Sequence, residues 1–328
     1  MFTKVRGAAT ALLCAVALAV AGCGSGAGGD APGDARTVAT VKGEVRIPEA
    51  PKRVVLLNYA LAGYLYDLRL PVVAMTPEFT GKPSEPNGAW AGDFRSAGTR
   101  FIPWPAEGFS IEEVAAQKPD LIVAGGIGLP FKQADDAYDK LSAIAPTVLV
   151  DKKYETWQAQ FEYLAGAVFG KPQVYADAVR KYDEKIAEVK ASITPPPAPA
   201  AFVSMTGKGV AHGLVEGRGV PGEFAKVGIA SAPIFASGRF RPFSQGGDSY
   251  EVSPELIAST FDQPTLFVMA FNNASTASVA TLRQQPVWAA LPAFTANSAH
   301  DLPYWVQRPD FDRAIATLDL VRQMFPKR

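Results

Sequence analysis

The stretch PQVYADAVRKYDEKIAEVKASITPPP, residues 172–197, decides the fold. Val174, Tyr175, Ala178, Val179, Tyr182, Ile186, Val189 and Ile193 recur at spacings of three and four, the period of an amphipathic helix. Pro172 suits the first turn, where its missing N–H would have had no partner. Asp177 and Lys181 stand one turn apart and are expected to pair. Thr194-Pro195-Pro196-Pro197 then stops the helix, because proline neither donates to the ladder nor fits a helix interior. At ~1.5 Å per residue the roughly 22 residues span about 33 Å, the width of a small lobe. A helix of that length can bridge two lobes.

Strand-like and helix-like patterns alternate on both sides of it. Toward the amino terminus, the apolar runs Val54–Leu57 and Val72–Met75 enclose helical spacing from Tyr59 to Leu68, a βαβ pattern. It recurs with a helix over Ile111–Gln117, for which Ser110 is a candidate cap. A buried strand Leu121–Ala124 follows, closed by Gly125-Gly126, then a helix Asp136–Ile144 and a strand Thr147–Val150. Toward the carboxyl terminus come a strand at Ala201–Met205, a helix at Gly222–Val227, a helix at Ser253–Ser259 and a strand at Thr265–Met269. Helices at Arg283–Ala290 and Phe311–Met324 complete the series. The fold class is α/β, two doubly wound α/β lobes bridged by one long α-helix. The expected organisation is an N-terminal lobe at 41–170, the bridging helix at 171–194 and a C-terminal lobe at 195–328.

The chain of 328 residues is long enough for two such lobes, and 48 % hydrophobic with 20 % charged residues is ordinary globular composition. Lys+Arg and Asp+Glu each number 32, so no global field directs the protein to nucleic acid. The amino terminus has a basic start with Lys4 and Arg6, an apolar run from Ala8 to Ala21, and Gly22-Cys23. The run is shorter than the ~20 residues of a bilayer-spanning helix and reads as an export signal over 1–22. Val20-Ala21-Gly22-Cys23 resembles the lipobox of bacterial lipoproteins, which implies cleavage before Cys23 and acylation of its thiol. Cys14 would leave with the signal, so the mature chain would carry one cysteine and no disulfide. The segment 23–40, rich in Gly, Ala and Asp, is expected to be a flexible tether.

Several further stretches carry a family resemblance. Pro51-Lys52-Arg53-Val54-Val55, Ser110-Ile111-Glu112, Lys118-Pro119-Asp120-Leu121-Ile122 and Leu141-Ser142-Ala143-Ile144-Ala145-Pro146-Thr147-Val148 occur in that order in the first lobe. Val252-Ser253-Pro254-Glu255 and Pro286-Val287-Trp288-Ala289-Ala290-Leu291-Pro292-Ala293 follow in the second. Together they resemble the siderophore-type substrate-binding lipoproteins of ATP-binding-cassette importers, over essentially the whole mature chain. The resemblance implies a ligand cleft between the lobes, a ferric siderophore as ligand with no resident cofactor and no enzymatic activity. It also implies a monomer held by lipid to the extracytoplasmic face of the cell membrane, and a permease dimer as partner. Glu112 and Glu255 match the acidic residues that dock such proteins on the permease, where paired charges set orientation and on-rate.

A ferric siderophore arrives with its metal already satisfied, so the protein must grip the outside of the chelate. Guanidinium groups can donate to its oxygens, and aromatic rings can cover its apolar parts. Candidate ligand-binding residues are Trp90, Arg100 and Trp104 in the first lobe and Arg239, Arg241, Tyr250, Tyr304, Trp305 and Arg308 in the second. Arg100 and Trp305 match cleft positions of relatives by resemblance; Gln307 departs from a tyrosine that some relatives carry. A hydroxamate is favoured over a catecholate. His212 and His300, the two histidines, lack neighbours at metal-ligand spacing, so no metal site is expected. Haem or cobalamin binding within the same importer class is the alternative. A serine hydrolase is disfavoured, because no Gly-x-Ser-x-Gly elbow occurs, and Gly125-Gly126-Ile127-Gly128 falls short of a dinucleotide fingerprint.

Overall fold

A computed structural model describes residues 34–243, 247–271, 277–308 and 310–327. The signal segment 1–22 and Cys23 lie outside the described residues. The strands are β1 (Ala35–Thr40), β2 (Gly43–Pro48), β3 (Val54–Leu56), β4 (Val72–Met75), β5 (Arg100–Phe101) and β6 (Leu121–Gly125). After them come β7 (Thr147–Val150), β8 (Ala200–Met205), β9 (Ala211–Leu214), β10 (Ser249–Val252), β11 (Thr265–Ala270) and β12 (Ala299–Leu302).

The first lobe holds a five-stranded parallel sheet of order β5-β4-β3-β6-β7. Strands β3, β6 and β7 are buried along their whole length, as expected when helices cover both faces. The second holds a five-stranded sheet of order β10-β9-β8-β11-β12. Here β8, β11 and β12 are parallel, but β9 runs antiparallel to both β8 and β10. The second lobe is therefore mixed, because Thr206–Gly209 turns the chain straight back along β8 without a crossover helix.

The tether expectation is corrected at its carboxyl end. Residues 35–40 form β1, paired antiparallel with β2, and Val38 and Ile47 are each 1 % exposed against the first lobe. The alternation of buried Val38 and half-buried Arg36 and Thr40 with exposed Thr37 and Ala39 is short but sufficient once β2 supplies a partner. Several expected helices break into shorter pieces. Asp136–Ile144 becomes Leu129–Asp136 and Tyr138–Ser142, and Arg283–Ala290 becomes Val279–Leu282 and Pro286–Ala289. Pro286 sits at the first turn of its own helix, where it starts an element instead of continuing one.

The bridging helix spans Pro172–Ser192. Asp177 accepts from Arg180 at 2.9 Å rather than from Lys181, so the expected pair is replaced by one three residues apart. Tyr182 and Val189 enter an apolar core shared with Val54 and Leu56 of the first sheet and Phe202 and Phe267 of the second. Separate cores fill the outer faces of the two sheets. The C-terminal helix Phe311–Met324 packs along the bridging helix and reaches the short helix Ala62–Asp67 of the first lobe. Lys185 with Asp319 at 3.0 Å and Arg322 with Glu188 at 2.6 Å fasten the two long helices. The lobes are thus joined by a continuous core as well as by chain connectivity. Among the described residues no helix is long and apolar enough to cross a membrane.

Candidate functional site

In a parallel sheet the helix N-termini and the loops that follow the strands gather at the carboxyl edge, which is where open α/β sheets place their ligands. A cavity of about 620 Å³ lies at that edge. Tyr59, just beyond β3, and the loop that follows β4, carrying Glu78, Phe79 and Lys82, form one wall. The opposite wall is Tyr304 and Trp305, on the single helical turn after β12, with Arg313 at the start of the C-terminal helix. The cavity therefore draws its walls from both ends of the chain.

A buried ion pair joins those walls. Arg313 Nη2 donates to Glu78 Oε1 at 2.9 Å, with the two side chains 6 % and 8 % exposed. The Tyr304 hydroxyl donates to Glu78 Oε2 at 2.9 Å. The pair is surrounded by rings: Arg313 lies 5.6 Å from the Tyr59 centroid, Phe79 and Tyr304 are 5.7 Å apart, and the Arg308 guanidinium stands 5.0 Å from the Phe79 ring. Burial is the first influence on Arg313, and Glu78 with Asp310 more than offsets it, so the guanidinium stays charged. Burial draws Arg308 below its usual value.

Behind this floor sits an acidic group. Asp310 caps the C-terminal helix, its Oδ1 accepting from the Arg313 backbone N–H at 2.8 Å. Helix Ala62–Asp67 comes close at Gly63, where an added Cβ would stand 3.1 Å from Asp312 Oδ2. Burial pushes Asp310 up to about 7 against the pull of Arg313. Burial, followed by repulsion from Asp312 and Asp310, pushes Asp67 to about 7 as well, from an ordinary 3.8. A carboxyl raised in this way holds its proton in the folded state while the unfolded chain has lost it, so its contribution to stability declines as pH climbs from about 4 to about 7. Asp67→Asn should therefore melt close to the parent at pH 4 and at a higher temperature at pH 8. Thermal melts at the two pH values check this; an equal difference at both would remove Asp67 from the titrating group.

The structure brings Tyr304 and Trp305 to the cavity and puts Arg308 beside it through Phe79. It moves other expected ligand-binding residues elsewhere. Arg100 is corrected: β5 carries it toward the end of helix Ile111–Ala116, where its Nε and Nη2 donate to Gln117 Oε1 at 2.9 and 2.5 Å. Trp90 is 2 % exposed, stacked on Tyr66 at 5.4 Å and tilted against Tyr59 at 5.1 Å, so it supports the cavity wall from within the core. Trp104 is 5 % exposed and spends its indole N–H on Gln133 Oε1 at 2.7 Å. Tyr250, 1 % exposed, lies beneath Phe240 at 4.6 Å. For all three, apolar burial outweighs display at a surface. Arg239 and Arg241 are exposed in the loop before β10, away from the cavity walls. His212 packs under Phe243 and His300 against Phe267, and no group of three or more His, Cys, Asp or Glu among the described residues could hold a metal ion.

Glu78, Phe79, Tyr59 and Arg313 escaped the sequence reading. The only local signal was their position just after a strand or at a helix start, and nothing in the chain relates residue 78 to residue 313.

A family model, periplasmic binding protein, matches residues 54–303. The chain belongs to this family. Among curated members, the ferric enterobactin-binding periplasmic protein FepB of Escherichia coli O6:H1 is 26 % identical over 88 % of this chain and 91 % of its own length. The putative ABC transporter substrate-binding lipoprotein YhfQ of Bacillus subtilis is 25 % identical over 87 % of this chain and 86 % of its own. In three dimensions the chain resembles holo-ViuP, with a TM-score of 0.72 and 23 % identity over 89 % of this chain and 95 % of that one. It also resembles a periplasmic solute binding protein of Mycobacterium smegmatis, with a TM-score of 0.69 and 22 % identity over 88 % and 97 %. Family membership accounts for the paired lobes and the long connecting helix.

Proposed function

We propose that this family member captures a ferric siderophore in the cavity between Tyr59, Phe79, Trp305 and Arg313 and delivers it to the permease dimer of an ATP-binding-cassette importer. It acts as a monomeric receptor without catalysis, held to the extracytoplasmic face of the cell membrane by lipid on Cys23. The observation that carries the reading is the cavity itself. Its volume of about 620 Å³ lies within the ~300–1,000 Å³ usual for ligand clefts. Aromatic rings supply flat apolar walls, and Arg313, Lys82 and Tyr304 supply donors for oxygen atoms already bound to a metal. The cations Arg313 and Lys82 share the walls with the acids Glu78, Glu85 and Asp312, a balance better suited to an uncharged ferric hydroxamate than to a triply anionic catecholate. Relatives named for ferric enterobactin, Fe(3+) dicitrate and iron(3+)-hydroxamate binding support the ligand class.

Fluorescence-quenching titration of the purified chain against ferrichrome, ferric enterobactin, haem and cobalamin tests this. Saturable quenching by a ferric chelate is expected. Response to haem or cobalamin alone would replace the reading with its alternative, and indifference to all four would end it.

Glu112 and Glu255 support the delivery step. Each is exposed in the first turn of a helix that precedes a parallel strand, so each stands at the carboxyl edge of its own sheet. The backbone N–H and the Ser253 hydroxyl hold the Glu255 carboxyl below its usual range. Replacing both with alanine should leave chelate affinity unchanged and lower iron uptake in cells about tenfold or more, as charge-guided docking is lost. Uptake at the parental rate would dismiss them as docking residues.

A further inference from the structure

The ion pair at the cavity floor uses the donors that a chelate would need. Glu78 presents two carboxylate oxygens, one to Arg313 Nη2 and one to the Tyr304 hydroxyl, each at 2.9 Å. A hydroxamate or catecholate presents comparable chemistry, a pair of adjacent oxygens that share negative charge. Arg313 Nε is buried with no hydrogen-bond partner, so this guanidinium has donor capacity that Glu78 does not fill. Glu78 is also mounted on a segment that can yield. It stands beyond the end of β4 on a stretch that carries no further strand or helix before Ala91, and its backbone N–H is tied to Ser84 of that same loop at 2.8 Å.

We propose that Glu78 is an internal stand-in for the ligand: its carboxylate caps Arg313 and Tyr304 until a ligand arrives, and the oxygen face of the incoming ferric chelate displaces it. The inference rests on the proposed function of the same cavity and adds a specificity element to it. A capped site binds with its intrinsic affinity multiplied by the fraction of molecules in which the cap is open. After displacement the carboxylate stays nearby on its loop, so it penalises a polyanionic chelate more than an uncharged one.

Glu78→Gln keeps the shape and loses the charge. The test compares the purified chain with this variant, using ferrichrome as the uncharged ferric trihydroxamate and ferric enterobactin as the trianion, each in 50 mM and 500 mM salt. The variant should bind ferrichrome about tenfold more tightly and ferric enterobactin with a larger gain, and the gains should survive high salt because the cap is a buried contact. Without ligand it should melt at a lower temperature than the parent, since Arg313 loses its counter-charge. Tighter binding with weaker folding is a combination that a purely structural cross-link cannot produce. Equal or weaker chelate binding by a folded Glu78→Gln protein would overturn the cap, as would a gain that disappears in high salt and so reports only the general field. If Glu78→Gln does not fold, Glu78→Asp, too short to reach both donors, should bind ferrichrome more tightly by a smaller factor, and because it keeps the charge it should show no additional gain for ferric enterobactin. Failure of every protein to bind any chelate would remove the proposed function and the cap with it. Binding by the parent without a gain in the variant would remove the cap alone.

Discussion

Arg313→Ala should cost about 3–5 kcal/mol of stability, the range for deleting one member of a buried ion pair. The reason lies in what stays behind. Glu78 is 8 % exposed, and without the guanidinium its carboxylate keeps the Tyr304 hydroxyl but loses its counter-charge. Tyr59 loses the cation against its ring at the same time. Urea unfolding measures the loss, and a cost below about 1 kcal/mol would mean that the pair is solvated in solution. Exchanging both partners for apolar residues, Glu78→Leu with Arg313→Met, should recover much of the stability because no charge remains buried. That double variant should still fail to capture ferric chelates, which separates what the pair does for the fold from what it does for the ligand.

The second large effect is expected at Gly125→Ala. Gly125 closes β6 at φ +92, a region that L-residues avoid, and a Cβ there would stand 2.4 Å from the Val150 carbonyl oxygen and 2.9 Å from Leu149 Cδ1. The obstacle is the backbone of β7, which cannot rotate aside, so β6 and β7 must part at the carboxyl edge. Positive-φ strain and overpacking each cost on the order of 1–3 kcal/mol, giving a combined loss of about 3 kcal/mol or more. Chemical denaturation measures it, and a near-neutral result would refute the close approach. The same contact explains the glycines after this strand. Gly126 N–H donates to the Val150 carbonyl at 2.8 Å, and Asn58 Nδ2 donates to the Gly125 carbonyl at 2.7 Å, so the turn serves strand packing.

How far the sequence could be read depended on how local the determining physics was. The bridging helix was legible because its apolar period and terminal prolines act within a few turns. The buried strands β3, β6, β7, β8 and β11 were legible as apolar runs between turn residues. The strand β1 was missed, since a short alternating segment next to a glycine-rich stretch becomes a strand only when β2 pairs with it. Trp305 was named through family resemblance and Tyr304 as its aromatic neighbour in a loop with Arg308, and both line the cavity. Trp90, Trp104 and Tyr250 show why residue type alone misleads: an indole or phenol suits a ligand wall and a core equally well, and only the neighbouring elements decide. Arg100 was placed in the cleft by motif, but the side-chain amide of Gln117 takes its donors.

By itself, then, the amino-acid order determined the α/β class, the two lobes and the rod between them, because hydrophobic period and chain stiffness are properties of neighbouring residues. Only the tertiary structure decided what the cavity is made of. Glu78 and Arg313 meet across 235 positions. Their pairing depends on where the carboxyl edge of one sheet and the start of the last helix come to rest, and no local pattern encodes that distance.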